Sequence, residues 1–244
     1  MTKTSPKKKL SIIIPCYNES LSIVKLIDKC LKILQDDIEI ILVDNGSIDD
    51  TFNILKRLNL PNNIKPITID QNIGYGNGIL VGLKEAKGEI LSWTHADLQT
   101  DPADVIIGYN QYKTELLRRD SVVKGERKNR NVLDAFFTLS MGVYCSIILK
   151  EWLYDINAQP KLFHSSFLDE FVNAPLDFSL DLYFIHFFKS KKIKIKTFPV
   201  YFNKRQYGAA KGGGTFKGKF KLIKRTLLYI NQLKKNCVNG IRYS

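Results

Sequence analysis

The chain has 244 residues, 44% of them hydrophobic and 25% charged, which fits an ordinary globular domain and excludes a disordered or fibrous polypeptide. Its formal net charge of +13 is concentrated: residues 1–181 carry 21 Lys and Arg against 24 Asp and Glu, whereas residues 182–244 carry 16 basic residues and no acidic one. The cysteines at 16, 30, 145 and 237 contain no C-x-x-C pair, which excludes a zinc site of the usual spacing and a disulfide framework and points to a reducing, cytoplasmic compartment.

Residues 1–9 read as a short disordered basic tail, because the polar PCYNES follows the first apolar run and no signal-peptide pattern forms. LSIIIPCY (10–17) predicts a strand, 20–34 a helix, IEIILVD (38–44) a strand and 50–58 a helix. IKPITID (64–70), a helix over 76–87 and EILSWTHAD (89–97) continue the alternation. Near-continuous Ile, Leu and Val runs joined by helices predict an α/β fold, a doubly wound, mostly parallel sheet with helices on both faces. Ligands of such sheets bind beyond the strand C-termini, where PCYNE, VDNGS and HADLQ stand. The second half predicts a strand over 121–127, an apolar helix over 131–150, an irregular DINAQPKLF (155–163), a helix over 176–189 and a strand over 192–202. A Gly-rich loop (209–215) and a basic C-terminal helix (217–235) follow. The apolar helix carries Asp134 and several hydroxyls, so it reads as buried or half-inserted rather than membrane-spanning.

Pro15, Tyr17, Asn18 and Glu19 offer a ring, an amide and a carboxylate to a ligand, although Asn18 and Glu19 equally suit a helix start. In VDNGSIDDT (43–51), capping accounts for Asp49 and Asp50 but not for Asp44, whose carboxylate can accept hydrogen bonds from a nucleobase or ribose. GYGNG (74–78) follows the third strand with G-x-G-x-G spacing, which argues against a dinucleotide site and leaves close approach to a nucleotide or close helix packing. In THADLQTDP (94–102), Asp97 and Gln99 stand two apart at a turn, so both oxygens can converge on a hard cation, Mg2+ or Mn2+, that bridges a diphosphate. His95, expected on the same strand face as Asp97, is either a third ligand or a packed neutral histidine.

These motifs, in this order and spacing, resemble family 2 glycosyltransferases of GT-A fold, most closely the dolichyl- or polyprenyl-phosphate sugar transferases, and the likeness extends over residues 10–208. The resemblance implies that Pro15, Tyr17, Glu19, Asp44, Asn72 and Ala96 hold the nucleotide and that Asp97 and Gln99 bind metal. It further implies that Arg127 and Arg205 approach phosphates, that Asn157 and Gln159 face the sugar or acceptor, and that Asp181 is the acidic group able to take a proton from a hydroxyl acceptor. Asp97, Asp181 and Arg205 are thus the expected catalytic residues. The family usually has aspartate where this chain has His95, which removes one negative charge beside the metal.

The expected activity is inverting transfer from a GDP- or UDP-sugar to a membrane-associated acceptor, a polyprenyl phosphate, with a soluble glycan hydroxyl or a catalytically weak nucleotide-sugar-binding protein as alternatives. No nucleic-acid motif is present. In residues 216–235, Phe216, Phe220, Ile223, Leu227, Ile230 and Leu233 recur at helical spacing among lysines, which predicts either an interfacial helix on an anionic membrane or a stripe packed on the domain. The expected location is peripheral, on the cytoplasmic face of a membrane.

Overall fold

The computed structural model describes residues 8–129, 132–203, 218, 224–231 and 233. The first half alternates as the sequence predicts: β1 (Leu10–Cys16), α1 (Ile23–Ile33), β2 (Ile38–Asn45), α2 (Thr51–Arg57), β3 (Ile64–Ile69), α3 (Tyr75–Glu85) and β4 (Ile90–Trp93). Then come α4 (Ala103–Arg118), β5 (Ser121–Lys128), α5 (Val132–Leu149), β6 (Lys161–His164), a 3-10 turn (Ser165–Glu170), α6 (Leu180–Ser190) and β7 (Lys194–Tyr201). The strands form one seven-stranded sheet in the order β3-β2-β1-β4-β6-β5-β7. Every pairing is parallel except those of β6, which runs antiparallel to β4 and β5.

Side chains alternate across each strand, so each Ile-rich run fills two cores. Ile12, Ile14, Ile40 and Leu42 pack with α1, α2 and α4, while Ile13, Ile41 and Val43 pack with α3, α6 and the rings of Trp93 and Phe163. The parallel register sets Cys16 beside Asp44, Asp44 beside Thr68 and Ile13 beside Trp93. The loops after β1, β2, β3 and β4 therefore open on one edge.

The structure departs from the predicted elements in four places. α4 has no predicted counterpart. β6 lies inside the segment expected to be irregular, and β4 ends at Trp93, so His95 and Asp97 sit on a loop rather than a strand face. That loop turns because Asp97 Oδ1 accepts the Gln99 amide at 3.0 Å and Leu98 takes a left-handed φ of 59°. Lys8 and Lys9, assigned to the tail, are tied down: Lys8 Nζ donates to Asn63 Oδ1 at 2.6 Å and Lys9 pairs with Asp37 at 2.6 Å.

Arg205 and the Gly-rich loop lie outside the described residues, as do Phe216, Phe220 and Ile223. Residues 224–231 are helical, and Ile230 and Leu233 are buried, Ile230 in the second core. This part of the predicted stripe packs on the domain and is not available to a bilayer.

Candidate active site

The loops after β1 and β2 hold each other. Asn18, at φ 51°, donates its amide to Ser47 Oγ at 2.9 Å and accepts the Ile48 amide on Oδ1 at 2.8 Å. Glu19 donates its amide to Thr51 Oγ1 at 2.8 Å, and its carboxylate accepts Ser22 Oγ at 2.6 Å. Asp49 accepts the Ser20 amide and the Thr51 hydroxyl. Burial alone would raise the Asp49 carboxyl, but these hydrogen bonds outweigh it and hold it at about 2. Pro15, Tyr17 and Glu19 stand half-buried at this rim, with Asp44 buried below and accepting the Ser47 amide at 3.1 Å.

Gly46 has φ +70°, and a Cβ there would stand 2.4 Å from the backbone nitrogen of Asn72, so only glycine lets the loop after β3 close over this turn. Asn72 is half-buried beside it. Ala96 is buried in the first core, which leaves its backbone as the part able to meet a nucleotide. The GYGNG run resolves as close packing. Gly74, at φ +148°, and Gly76 lie against the backbone of residues 175–177, and the Asn77 amide donates to Leu176 O at 2.9 Å.

Asp97 is half-buried at the same edge. Gln99 is bound to the segment just after β7: Asn203 donates its amide to Gln99 O at 2.8 Å, and Gln99 Nε2 donates to Asn203 O at 3.2 Å. His95 lies 5.8 Å from the Tyr75 ring, which stacks on Phe178 at 4.7 Å. Loss of solvent pulls the His95 imidazole below its usual range; Asp97 and Asp181 oppose that shift, and Arg127 and Lys161 reinforce it. The direction of the shift favours a neutral His95 near pH 7.

The floor is a buried polar cluster. Asp181, in the first turn of α6 and 1% exposed, accepts on Oδ1 from Lys161 Nζ at 2.5 Å and from Gln159 Nε2 at 2.8 Å. Lys161, 0% exposed, spends its other protons on Ile156 O at 3.0 Å and Ala158 O at 3.2 Å. Burial draws its ammonium below the usual range, and Asp181 opposes the shift. Gln159 also donates to Tyr75 Oη at 3.2 Å, while its buried Oε1 has no hydrogen-bond partner among the described residues. Asn157 is exposed on the loop above.

Arg127, expected to approach a phosphate, meets Asp155. Its Nε donates to Asp155 Oδ1 at 2.9 Å, Nη2 donates to the same oxygen, and its amide donates to Asp155 Oδ2 at 2.8 Å. One edge of the guanidinium is thus committed, and its plane lies 5.4 Å from the Phe202 ring. Burial would raise the Asp155 carboxyl, but Arg127 holds it below the carboxylate range. Sequence reasoning missed Tyr75, Asp155 and Lys161. Asp155 and Lys161 lie inside DINAQPKLF, yet nothing in their neighbours announces full burial of either charge.

Glycosyl transferase family 2 matches residues 11–163. Undecaprenyl-phosphate 4-deoxy-4-formamido-L-arabinose transferase of Yersinia pestis (strain Pestoides F) is 37% identical over 110 residues, 43% of this chain and 34% of that protein. The protein of the same description from Yersinia pseudotuberculosis serotype O:3 (strain YPIII) matches equally. The match thus spans about a third of the length of these relatives. Among solved structures, glucosyl-3-phosphoglycerate synthase from Mycobacterium tuberculosis in complex with Mn2+, UDP and glucosyl-3-phosphoglycerate superposes with a TM-score of 0.68 at 15% identity, over 93% of this chain and 80% of that one. The same enzyme with Mn2+, UDP-glucose and phosphoglyceric acid gives 0.72 at 13% identity, over 93% and 80%. At such identity the likeness shows the fold, of GT-A kind. The family match runs from β1 through β6 and takes in both the loop edge and Lys161 of the floor: the chain belongs to glycosyl transferase family 2.

Proposed function

We propose that this chain is an inverting glycosyltransferase that moves a sugar from a UDP- or GDP-sugar to a polyprenyl phosphate at a membrane surface. The observation that supports this reading is that Asp97 and Asp181 both act electrostatically on His95, while Gln159 donates to Asp181 Oδ1 at 2.8 Å. In this reading Pro15, Tyr17, Glu19, Asp44, Asn72 and the backbone of Ala96 hold the nucleoside. Asp97 and Gln99 supply hard oxygens, the donor set of a Mn2+ or Mg2+ site completed by substrate phosphate. Such an ion would supply charge neutralisation of the leaving nucleoside diphosphate.

The acceptor oxygen attacks the anomeric carbon from the face opposite the diphosphate, the carbon–oxygen bond to the diphosphate breaks, and its electron pair leaves with the nucleotide. Gln159 Oε1, buried and unpartnered, suits a sugar hydroxyl. A phosphate acceptor is already ionised and needs no base. A glycan hydroxyl would need one, and Asp181 Oδ1 is already occupied by two donors, Lys161 and Gln159. This favours the phosphate acceptor over the soluble glycan.

Release of UDP or GDP from sugar donors, assayed with and without Mn2+ and accelerated by added polyprenyl phosphate, tests the reading. Absence of release with every donor would instead favour a nucleotide-sugar-binding protein. His95→Asp should extend activity from Mn2+ towards Mg2+, because it restores a negative charge beside Asp97; an unchanged metal profile assigns His95 to packing. Arg205→Lys keeps the charge and loses the planar fork, so turnover should fall by about tenfold if Arg205 grips a phosphate with two hydrogen bonds. Turnover equal to the parent's would return Arg205 to the solvated surface.

A further inference from the structure

α5 carries an apolar face that the domain leaves uncovered. Phe136, Leu139, Val143, Tyr144 and Ile147 recur at spacings of three and four and are exposed, Phe136 by 63% and Ile147 by 72%. The opposite face is spent on the core: Cys145 is buried, and Met141, Ile148 and Leu149 pack against the second cluster. From Ala135 to Leu149 there is no charged residue. The exposed Ser140 hydroxyl turns back to Phe136 O at 2.9 Å, which removes its demand for water. Because the opposite face is packed in the core, the exposed face suits lying on a surface.

What borders the stripe names the surface. Lys150 follows it directly, and Trp152, 67% exposed, and Tyr154 stand next in the chain. Lys189 reaches across from α6 to the Trp152 carbonyl. Of the acidic residues near it in the chain, Asp134 precedes the stripe, Glu151 points its carboxylate at His186 Nδ1, 3.4 Å away, and Asp155 pairs with Arg127. Amphipathic rings and lysines beside an uncharged apolar stripe are the chemistry of a membrane interface. No acidic residue follows Asp181, so the rest of the chain adds attraction to an anionic leaflet. The two ends of the α5 excursion meet at the site, because Arg127 before it is bonded to Asp155 after it.

We propose that the exposed face of α5, with Trp152 and Tyr154, docks the protein on an anionic bilayer and thereby holds the 155–159 loop at the level of lipid phosphates. The lipid acceptor rests on the function proposed above; the docking itself does not.

The full chain should float with phosphatidylcholine/phosphatidylglycerol vesicles at low salt, more weakly at high salt and least with pure phosphatidylcholine. The double substitution Phe136→Gln/Ile147→Gln should weaken vesicle binding at least about tenfold, since each loses a buried apolar side chain. Metal-dependent donor hydrolysis in detergent-free buffer and the melting temperature should stay unchanged, because both side chains point away from the core and the site. Equal flotation of the double variant and the parent overturns the proposal, as does a parent that stays soluble with every vesicle. A parent dimer that the double substitution dissociates also overturns it and assigns the face to a second copy of the chain. Loss of donor hydrolysis in the parent, with vesicle binding intact, would sink the proposed function and leave the docking face standing.

Discussion

Asp97→Asn is expected to lower metal-dependent release of the nucleotide by at least about a hundredfold, the scale on which removing one group that stabilises developing charge usually acts. The substitution changes one carboxylate oxygen to an amide. It keeps the turn, because the Asn carbonyl can still accept the Gln99 amide that Asp97 Oδ1 accepts at 3.0 Å. Folding should therefore survive, and the melting curve is the control. If Asp97 meets the cation, raising Mn2+ should recover part of the lost rate, since a weakened site fills at higher metal concentration. A variant with near-parent turnover, or one whose loss ignores metal concentration, would remove Asp97 from the metal site.

Lys161→Met should be the most damaging single change to stability. Methionine matches the length of the stem but strands Asp181 without its cation and leaves Ile156 O and Ala158 O without a donor. Removing one partner of a buried pair costs about 3–5 kcal/mol, which for a chain of this size is a fall in melting temperature of about 6–20 °C. The stranded carboxylate takes up a proton more readily, and proton uptake favours the folded state at low pH, so the deficit should shrink as pH falls. Adding Asp181→Asn to Lys161→Met should recover part of the loss in a double-mutant cycle. A deficit below about 1 kcal/mol, with neither pH dependence nor recovery, would show that the pair contributes little.

The parallel half of the sheet was legible because its Ile-rich runs are continuous and end in polar clusters, and the same clusters marked the rim of the site. α4 was missed although Val105, Tyr109, Tyr112 and Leu116 recur at spacings of four and three and pack in the first core. β6 escaped because it is four residues long and begins with a charged lysine, which reads as surface. Asp97, Gln99 and Asp181 were named from the motifs and the resemblance; the hydrogen bonds that hold Asp181 were not legible. The Lys161–Asp181 and Arg127–Asp155 pairs join positions 20 and 28 residues apart, and such pairings leave no local period to read. The C-terminal stripe read as a membrane-docking helix in preference to a packed one, whereas Ile230 and Leu233 are buried.

The Arg127–Asp155 pair closes the chain on itself where the α5 excursion leaves and rejoins the domain. Lengthening a closed excursion costs only slowly growing entropy, about 0.6 kcal/mol per doubling. The segment between the two residues can therefore change length at small cost in folding free energy while β5 and β6 keep their places.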